Sequence, residues 1–338
     1  MIFVTGGTGL VGSYLICELL KAGKNVRALK RKNSDLAIVR KVFSKYFPGD
    51  KEMFNKVDWV VGDVLDIFSL EDALEGISQI YHSAALISFN PSDRNKMMKI
   101  NIEGTANIVN IALEKNIKKL CYVSSIAALG RADNDKVTTE ETQWKTSKNN
   151  SYYAISKYGG EREVWRGVKE GLDAIVVNPS VILGSGGNDS LSTRLILTIW
   201  KGLKVYTKGM NGYVDVRDVA RSMVQLMESE IVNERFIINS ENLFYRDFFV
   251  LLAGFLGKKP PSIMAPRIVQ ELAWRFFKIT AFISGTKPFI TKETARTSRN
   301  IHHYSNEKIK KAIGIEFIPV SESLKEHSLE FVKGRNQS

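Results

Sequence analysis

Cysteine is nearly absent: the 338 residues include only Cys17 and Cys121, each inside an apolar run. Two such thiols argue against a disulfide framework and read as buried core positions. Histidine is scarce as well. His82, His302, His303 and His327 show no ligand spacing with cysteine or with one another, so no metal centre is expected. Internal repeats and low-complexity tracts are lacking. The stretch Ile268 to Ile283 is rich in aromatics, but it carries Glu271, Arg275 and Lys278 and is too short and too charged to span a bilayer. It reads as a packed amphipathic helix; Trp274 beside basic residues leaves weak association with a membrane surface as the alternative. Nothing before the first apolar run at Ile2 has the form of a secretory leader, so a cytoplasmic location is expected.

Acidic residues are in deficit, 36 against 48 lysines and arginines, for a net charge of +12. The excess is local. Residues 21–56 hold 11 Lys and Arg against 3 Asp and Glu, and residues 258–338 hold 15 against 7. Neither block interleaves aromatic residues as a nucleic-acid platform does, which argues against nucleic acid as a partner.

What is present begins at the amino terminus. Ile2-Phe3-Val4 is a β-branched and aromatic run, Thr5-Gly6-Gly7-Thr8-Gly9-Leu10-Val11-Gly12 breaks it with glycines, and apolar residues then recur at helical spacing until Gly23. Strand, tight turn and helix are implied, followed by a second strand at Val26 to Leu29. The glycines suit a turn (Gly6), a close main-chain approach to a ligand (Gly9) and packing of helix on strand (Gly12). A helix N-terminus of this kind stabilises a pyrophosphate, and a dinucleotide is the natural ligand. After Leu29 come Lys30, Arg31 and Lys32, where an NAD enzyme usually carries an acidic residue. A basic cluster there suits a 2′-phosphate, so NADP is favoured over NAD.

Further along, Leu120 to Ser125 reads as a strand ending in two serines, and Ser151 begins a helix on which Tyr153 and Lys157 stand one turn apart on one face. A neighbouring ammonium would favour the phenolate and lower the tyrosine pKa. The phenol could then give a proton to a carbonyl oxygen as hydride arrives, or take one from an alcohol. The spacing alone carries little, because Tyr304 and Lys308 match it too.

The ordered set Gly6-x-x-Gly9-x-x-Gly12, Asp63-Val64, Ser124-Ser125, Tyr153-x-x-x-Lys157 and Asn178-Pro179-Ser180 resembles the extended branch of the short-chain dehydrogenase/reductase superfamily. The nearest likeness within it is to dihydroflavonol reductases and 3β-hydroxysteroid dehydrogenases. That resemblance implies a doubly wound parallel α/β sheet with a smaller, mostly helical carboxyl-terminal substrate lobe. The dinucleotide domain would span 1–183, with the chain returning to it around 203–240, and the lobe would take 184–202 and 241–338. It further implies that Asp63 and Val64 meet the adenine, that Arg31 meets the 2′-phosphate, and that the dinucleotide runs past Ser83, Ala84 and Ala85. Asn178, Pro179, Ser180 and Val181 would lie against the nicotinamide. Counting back from Gly130 selects Ser125 as the catalytic serine, supported by Ser124. Lys157 would also anchor the ribose, and Asn101 would support Lys157. Extended members often pair through the helices carrying Asn101 and Tyr153, so a homodimer is compatible.

The expected activity is NADP-dependent reduction of a ketone or aldehyde. A nucleotide-sugar epimerase or dehydratase is the alternative enzyme, and a non-catalytic NADP-sensing scaffold the alternative of another class. Asn211 and Gly212 occupy the place where nucleotide-sugar members commonly put a phosphate-clamping arginine, with Lys208 as a point charge nearby. Trp274, Phe276, Phe277 and Phe282 would suit an apolar pocket, so the substrate is expected to be a small or medium carbonyl compound with apolar surface.

Overall fold

The computed structural model describes residues 1–130, 137–148, 150–185, 191–284 and 292–336. Its strands are β1 (Ile2–Thr5), β2 (Val26–Lys30), β3 (Asp58–Val61), β4 (Gln79–His82), β5 (Lys119–Val123), β6 (Ala174–Pro179), β7 (Val181–Leu183), β8 (Val205–Tyr206), β9 (Met210–Asp215), β10 (Glu234–Ile238), β11 (Glu241–Phe244) and β12 (Ile263–Met264). Seven of them form one sheet in the order β3-β2-β1-β4-β5-β6-β10, with every neighbouring pair parallel. A parallel sheet needs crossovers and is covered on both faces, so its strands are apolar in both alternating registers. Ile2, Val4, Tyr81, Cys121, Ile175 and Val177 enter one core with the helices Leu10–Lys21, Ala37–Tyr46 and Val216–Glu228. Phe3, Ile80, Leu120, Tyr122 and Val176 enter the other, against the helices Ile67–Ala73, Gly104–Glu114 and Tyr152–Lys169. Both cysteines are free and buried in the first of these cores.

The chain order reverses between β1 and β4, which lie side by side although two strands separate them in sequence. In doubly wound sheets the crevice at such a reversal takes the ligand, at the carboxyl ends of the strands. Gly6, Ser83, Ser124 and Ser180 all follow strands at that edge.

A second, three-stranded sheet pairs β7 with β9 in parallel and β9 with β11 antiparallel. Tyr213 and Leu183 bring it into a smaller core with Ile196, Ile199, Phe248, Leu252, Val320 and Leu324. The helix Tyr245–Phe255 stops before Gly257, whose φ of +64° only glycine adopts at little cost. At the end of β9 the buried Asp215 accepts from Arg217 Nε (2.9 Å) and Ser323 Oγ (2.6 Å), which ties the last helix, Val320–Asn336, to the sheet. Burial opposes ionisation of Asp215, but hydrogen bonds from His327, Arg217 and Ser323 outweigh it and hold the carboxyl well below its usual range.

Candidate active site

The glycine turn closes with Gly9 N–H donating to Gly6 O (2.9 Å) and Gly6 at φ +70°. A Cβ on Gly12 would lie 2.2 Å from Gly6 O, so strand and helix approach as closely as backbone permits. Gly9 caps the helix Leu10–Lys21 without a side-chain hydrogen bond, and its first turn contains no acidic residue. Uncapped amides, the positive helix end and space next to backbone together fit a dinucleotide pyrophosphate.

Around this turn the side chains are occupied by one another. Thr5 Oγ1 pairs with His82 Nδ1 (2.7 Å) and accepts from Ala84 N–H (3.2 Å), and Ser83 Oγ donates to Thr5 O (2.6 Å). His82 continues through Nε2 to Thr105 Oγ1 (3.0 Å), which donates to Asn101 O (2.8 Å). Burial, helped by the charge of Lys157, lowers the His82 pKa to about 3, so it is a neutral strut. Thr8 is half-buried and Ala85 exposed. Asp63 turns its carboxylate onto Leu65 N–H (3.0 Å), while the helix that follows is capped by Asp66. The Val64 side chain is buried and its carbonyl accepts from Asn107 Nδ2 (3.0 Å). Lys30 ends β2, its carbonyl held by Gly62 N–H, and Arg31 follows it, exposed.

The proton-handling residues meet where β5 and β6 end. Ser151 caps the helix Tyr152–Lys169 by accepting from Ala154 N–H (2.8 Å), so Tyr153 and Lys157 both lie inside it. Ser125 caps a short 3-10 turn, accepting from Ala127 N–H (3.1 Å), and its hydroxyl faces the Tyr153 phenol. Ser124 turns the other way and donates to Glu161 Oε2 (2.6 Å). Burial raises the Tyr153 pKa, and Ser125 works against that rise by favouring the phenolate.

The expected lowering of the Tyr153 pKa by Lys157 does not occur. Lys157 Nζ donates to Tyr122 Oη (2.9 Å) and Val123 O (2.7 Å), and the phenol is raised rather than lowered. The reason is burial of the phenol itself, which outweighs the hydrogen bond with Ser125; Lys157, 2% exposed, has its own pKa lowered to about 7 by desolvation, only partly offset by Glu161.

Asn101 sits in a π-turn, Lys99–Glu103, between two α-helical segments, a local geometry often found at functional sites. Its amide accepts from Leu86 N–H (2.7 Å) and donates to Leu86 O (3.0 Å) and Ser156 Oγ (2.9 Å). It thereby clamps the loop after β4 to the helix bearing Tyr153. Asn178 donates to Ser125 O (3.0 Å) and Glu161 Oε2 (2.9 Å), fixing the height of Ser125 from β6. Pro179 closes that strand. Ser180 N–H donates to Ile238 O (3.0 Å), and Val181 is half-buried on β7.

Sequence reasoning missed the pair beneath the serines. Glu161, 2% exposed, accepts from Ser124, Asn178, Trp165 Nε1 (3.3 Å) and Arg235 Nη1 (3.1 Å). Arg235 also donates to Glu140 O, and Glu140 Oε1 accepts from Ile237 N–H (2.8 Å). The available signal was Glu161 lying four residues after Lys157, on the same helix face.

Tyr304 and Lys308 form no comparable site. Tyr304 stands in a bridge with Thr138, packed near Ile126, Leu129 and Ile237, before the helix Glu307–Ile313 begins. A Cβ on Gly212 would lie 2.2 Å from Asn239 Oδ1, so a side chain there would require Asn239 to shift. Asn211 donates to Tyr245 Oη at 3.5 Å. Trp274 is half-buried and donates to Glu271, whereas Phe276 is 62% exposed; the side chains of Phe277 and Phe282 lie outside the described residues.

The fold is that of the extended short-chain dehydrogenase/reductase type, and sequence comparison agrees. Residues 2–239 match the NAD dependent epimerase/dehydratase family, and the chain belongs to it. It is similar to a putative dihydroflavonol 4-reductase of Synechocystis sp., 28% identical over 95% of this chain and 92% of that protein. It is also similar to cinnamoyl-CoA reductase 1 of Petunia hybrida, 27% identical over 96% and 90%. Among solved structures, that of gox2253 has a TM-score of 0.81 at 30% identity, covering 99% of this chain and 98% of that one. Among the described residues no helix is long and apolar enough to cross a membrane.

Proposed function

We propose that the protein reduces a ketone or aldehyde with NADPH. The observation that carries this reading is the meeting of Ser125 and Tyr153 at the carboxyl edge of the sheet, beside the uncapped glycine turn. Thr5 to Gly12, Asp63, Val64, Ser83 to Ala85 and Asn178 to Val181 would hold the dinucleotide, with Lys30 and Arg31 on its 2′-phosphate. When bound, it supplies the hydride. Ser125 then donates to the substrate oxygen and Tyr153 protonates it. The raised phenol pKa suits an acid that stays protonated until the oxygen becomes basic. Lys157 is the buried donor behind them, and Asn101 holds in place the helix that carries Tyr153 and Lys157. Both named relatives are reductases, which supports carbonyl reduction over epimerisation. Gly212 offers no phosphate-clamping side chain, which supports a substrate lacking a pyrophosphate.

The test is a panel of aromatic, alicyclic and aliphatic ketones and aldehydes beside UDP-, GDP- and dTDP-sugars, followed by NADPH consumption and by thermal shift. Turnover of a carbonyl compound is expected. Selective binding of a nucleotide sugar, with no carbonyl compound reduced, would overturn the reading.

A further inference from the structure

The helix Arg267–Ser284 does not bury the stripe that its periodicity would place in a core. Ile268, Leu272 and Phe276 recur every four residues and are 73%, 62% and 62% exposed, with Val269 beside them at 48%. Gln270, on the opposite side, is buried and donates to Ala265 O (2.7 Å), which holds the helix against the end of β12. The strands to which the helix is tied expose apolar side chains of their own. Ile263 and Met264 are 56% and 40% exposed, and Val205 of β8, the register partner of Ile263, is 38% exposed. Apolar side chains gathered on two adjoining elements differ from the scattered ones of an ordinary surface and mark an interaction site.

The surrounding charge has one sign. Residues 201–208 and 258–275 hold seven Lys and Arg against a single carboxylate, Glu271. Arg275 and Arg299 engage that carboxylate at 3.2 and 3.0 Å, whereas Lys204, Lys208, Lys259 and Arg267 are exposed. A second copy of this chain would bring the same positive field to the face. An anionic phospholipid surface offers the opposite charge together with an apolar layer for the stripe.

We infer that residues 263–276, with Val205 and the neighbouring lysines, form a docking surface for anionic phospholipid bilayers. The apolar stripe enters the interfacial layer while the basic rim meets headgroup phosphates. The inference does not rest on the proposed reductase activity.

Flotation of the full chain with vesicles of phosphatidylglycerol and phosphatidylcholine, against phosphatidylcholine alone, tests this at low and high salt. Binding to the anionic vesicles should be at least about tenfold stronger and should fall with salt. Leu272→Glu with Phe276→Glu should reduce it by more than about tenfold at an unchanged unfolding midpoint. Should that double variant unfold early, Ile268→Gln, at the most exposed position, supplies the same readout. Lys204→Glu with Lys208→Glu should weaken anionic binding alone. Equal or no binding to the two vesicle types, or binding that survives the stripe variants, would overturn the inference. So would a dimer that dissociates in the stripe variants without any vesicle binding, which would assign the face to a second copy.

Discussion

Tyr153 and Lys157 share their spacing with Tyr304 and Lys308, yet the fold gives the two segments opposite surroundings. Ser151 starts its helix before Tyr153, so the tyrosine and lysine fall on one helical face, over a strand end carrying Ser125. Asn306 starts the other helix after Tyr304, so the same spacing spans a bridge residue and a helix residue that face different partners. Tyr304 packs near Ile126 and Leu129, and Lys308 reaches Glu234 (2.5 Å) and the ring of Phe236. Where a helix begins decides what a spacing means.

The largest effect that would break this comparison is on turnover. Tyr153→Phe should lower kcat by about a thousandfold, within the range of lost general acid catalysis, and leave the cofactor Kd within about twofold. Tyr304→Phe should leave kcat within about twofold; inactivation by that change instead would reverse the assignment. The supporting pairs differ as the tyrosines do. Glu161→Ala strips a buried carboxylate from Arg235, Ser124 and Asn178, and should cost about 3–5 kcal/mol in denaturant unfolding, as unpairing buried charge does.

Lys157 adds a pH signature. Its pKa is lowered by burial to about 7, while the unfolded chain's lysine titrates near ~10.4. Between those values the unfolded chain holds the extra proton, so raising the pH favours the folded form. The stability of the wild type relative to Lys157→Met should therefore climb from about pH 7 to about pH 10. Flat or falling differences in thermal melts would place the ammonium in a solvated setting. Arg31→Ala should weaken NADPH about tenfold with little change for NADH, read by fluorescence titration; equal wild-type affinities would remove the NADP preference. Smallest of all, Lys308→Ala should cost under about 1 kcal/mol, since its ion pair with Glu234 is solvent-exposed.

Much of this was legible in the sequence because local rules and long-range packing agree. Glycine and capping signals mark the end of β1 and the start of the Tyr153 helix, and the strands β1, β2 and β5 read as apolar runs. Glu161 was not legible, because a glutamate in a helix carries no sign of burial until β6 and β10 bring Asn178 and Arg235 to it. His82 was read only as a failed metal ligand, whereas β1 and β4 pair so that Thr5 meets it directly. The stretch Ile268 to Ile283 reads as a packed helix; among its described side chains Ile268, Leu272 and Phe276 face outward. Periodicity reports which residues share a face and is silent on whether that face meets protein or solvent.

The most direct test of the proposed chemistry follows the hydride itself. NADPH deuterated at the transferable position would be incubated with the best carbonyl compound of the panel, and the products examined by mass spectrometry and by cofactor absorbance. One deuterium on the new carbinol carbon, with one NADP formed per alcohol, is the predicted result. A sugar product altered in stereochemistry or dehydrated with no net cofactor consumption, and no labelled alcohol from any carbonyl compound, would contradict it.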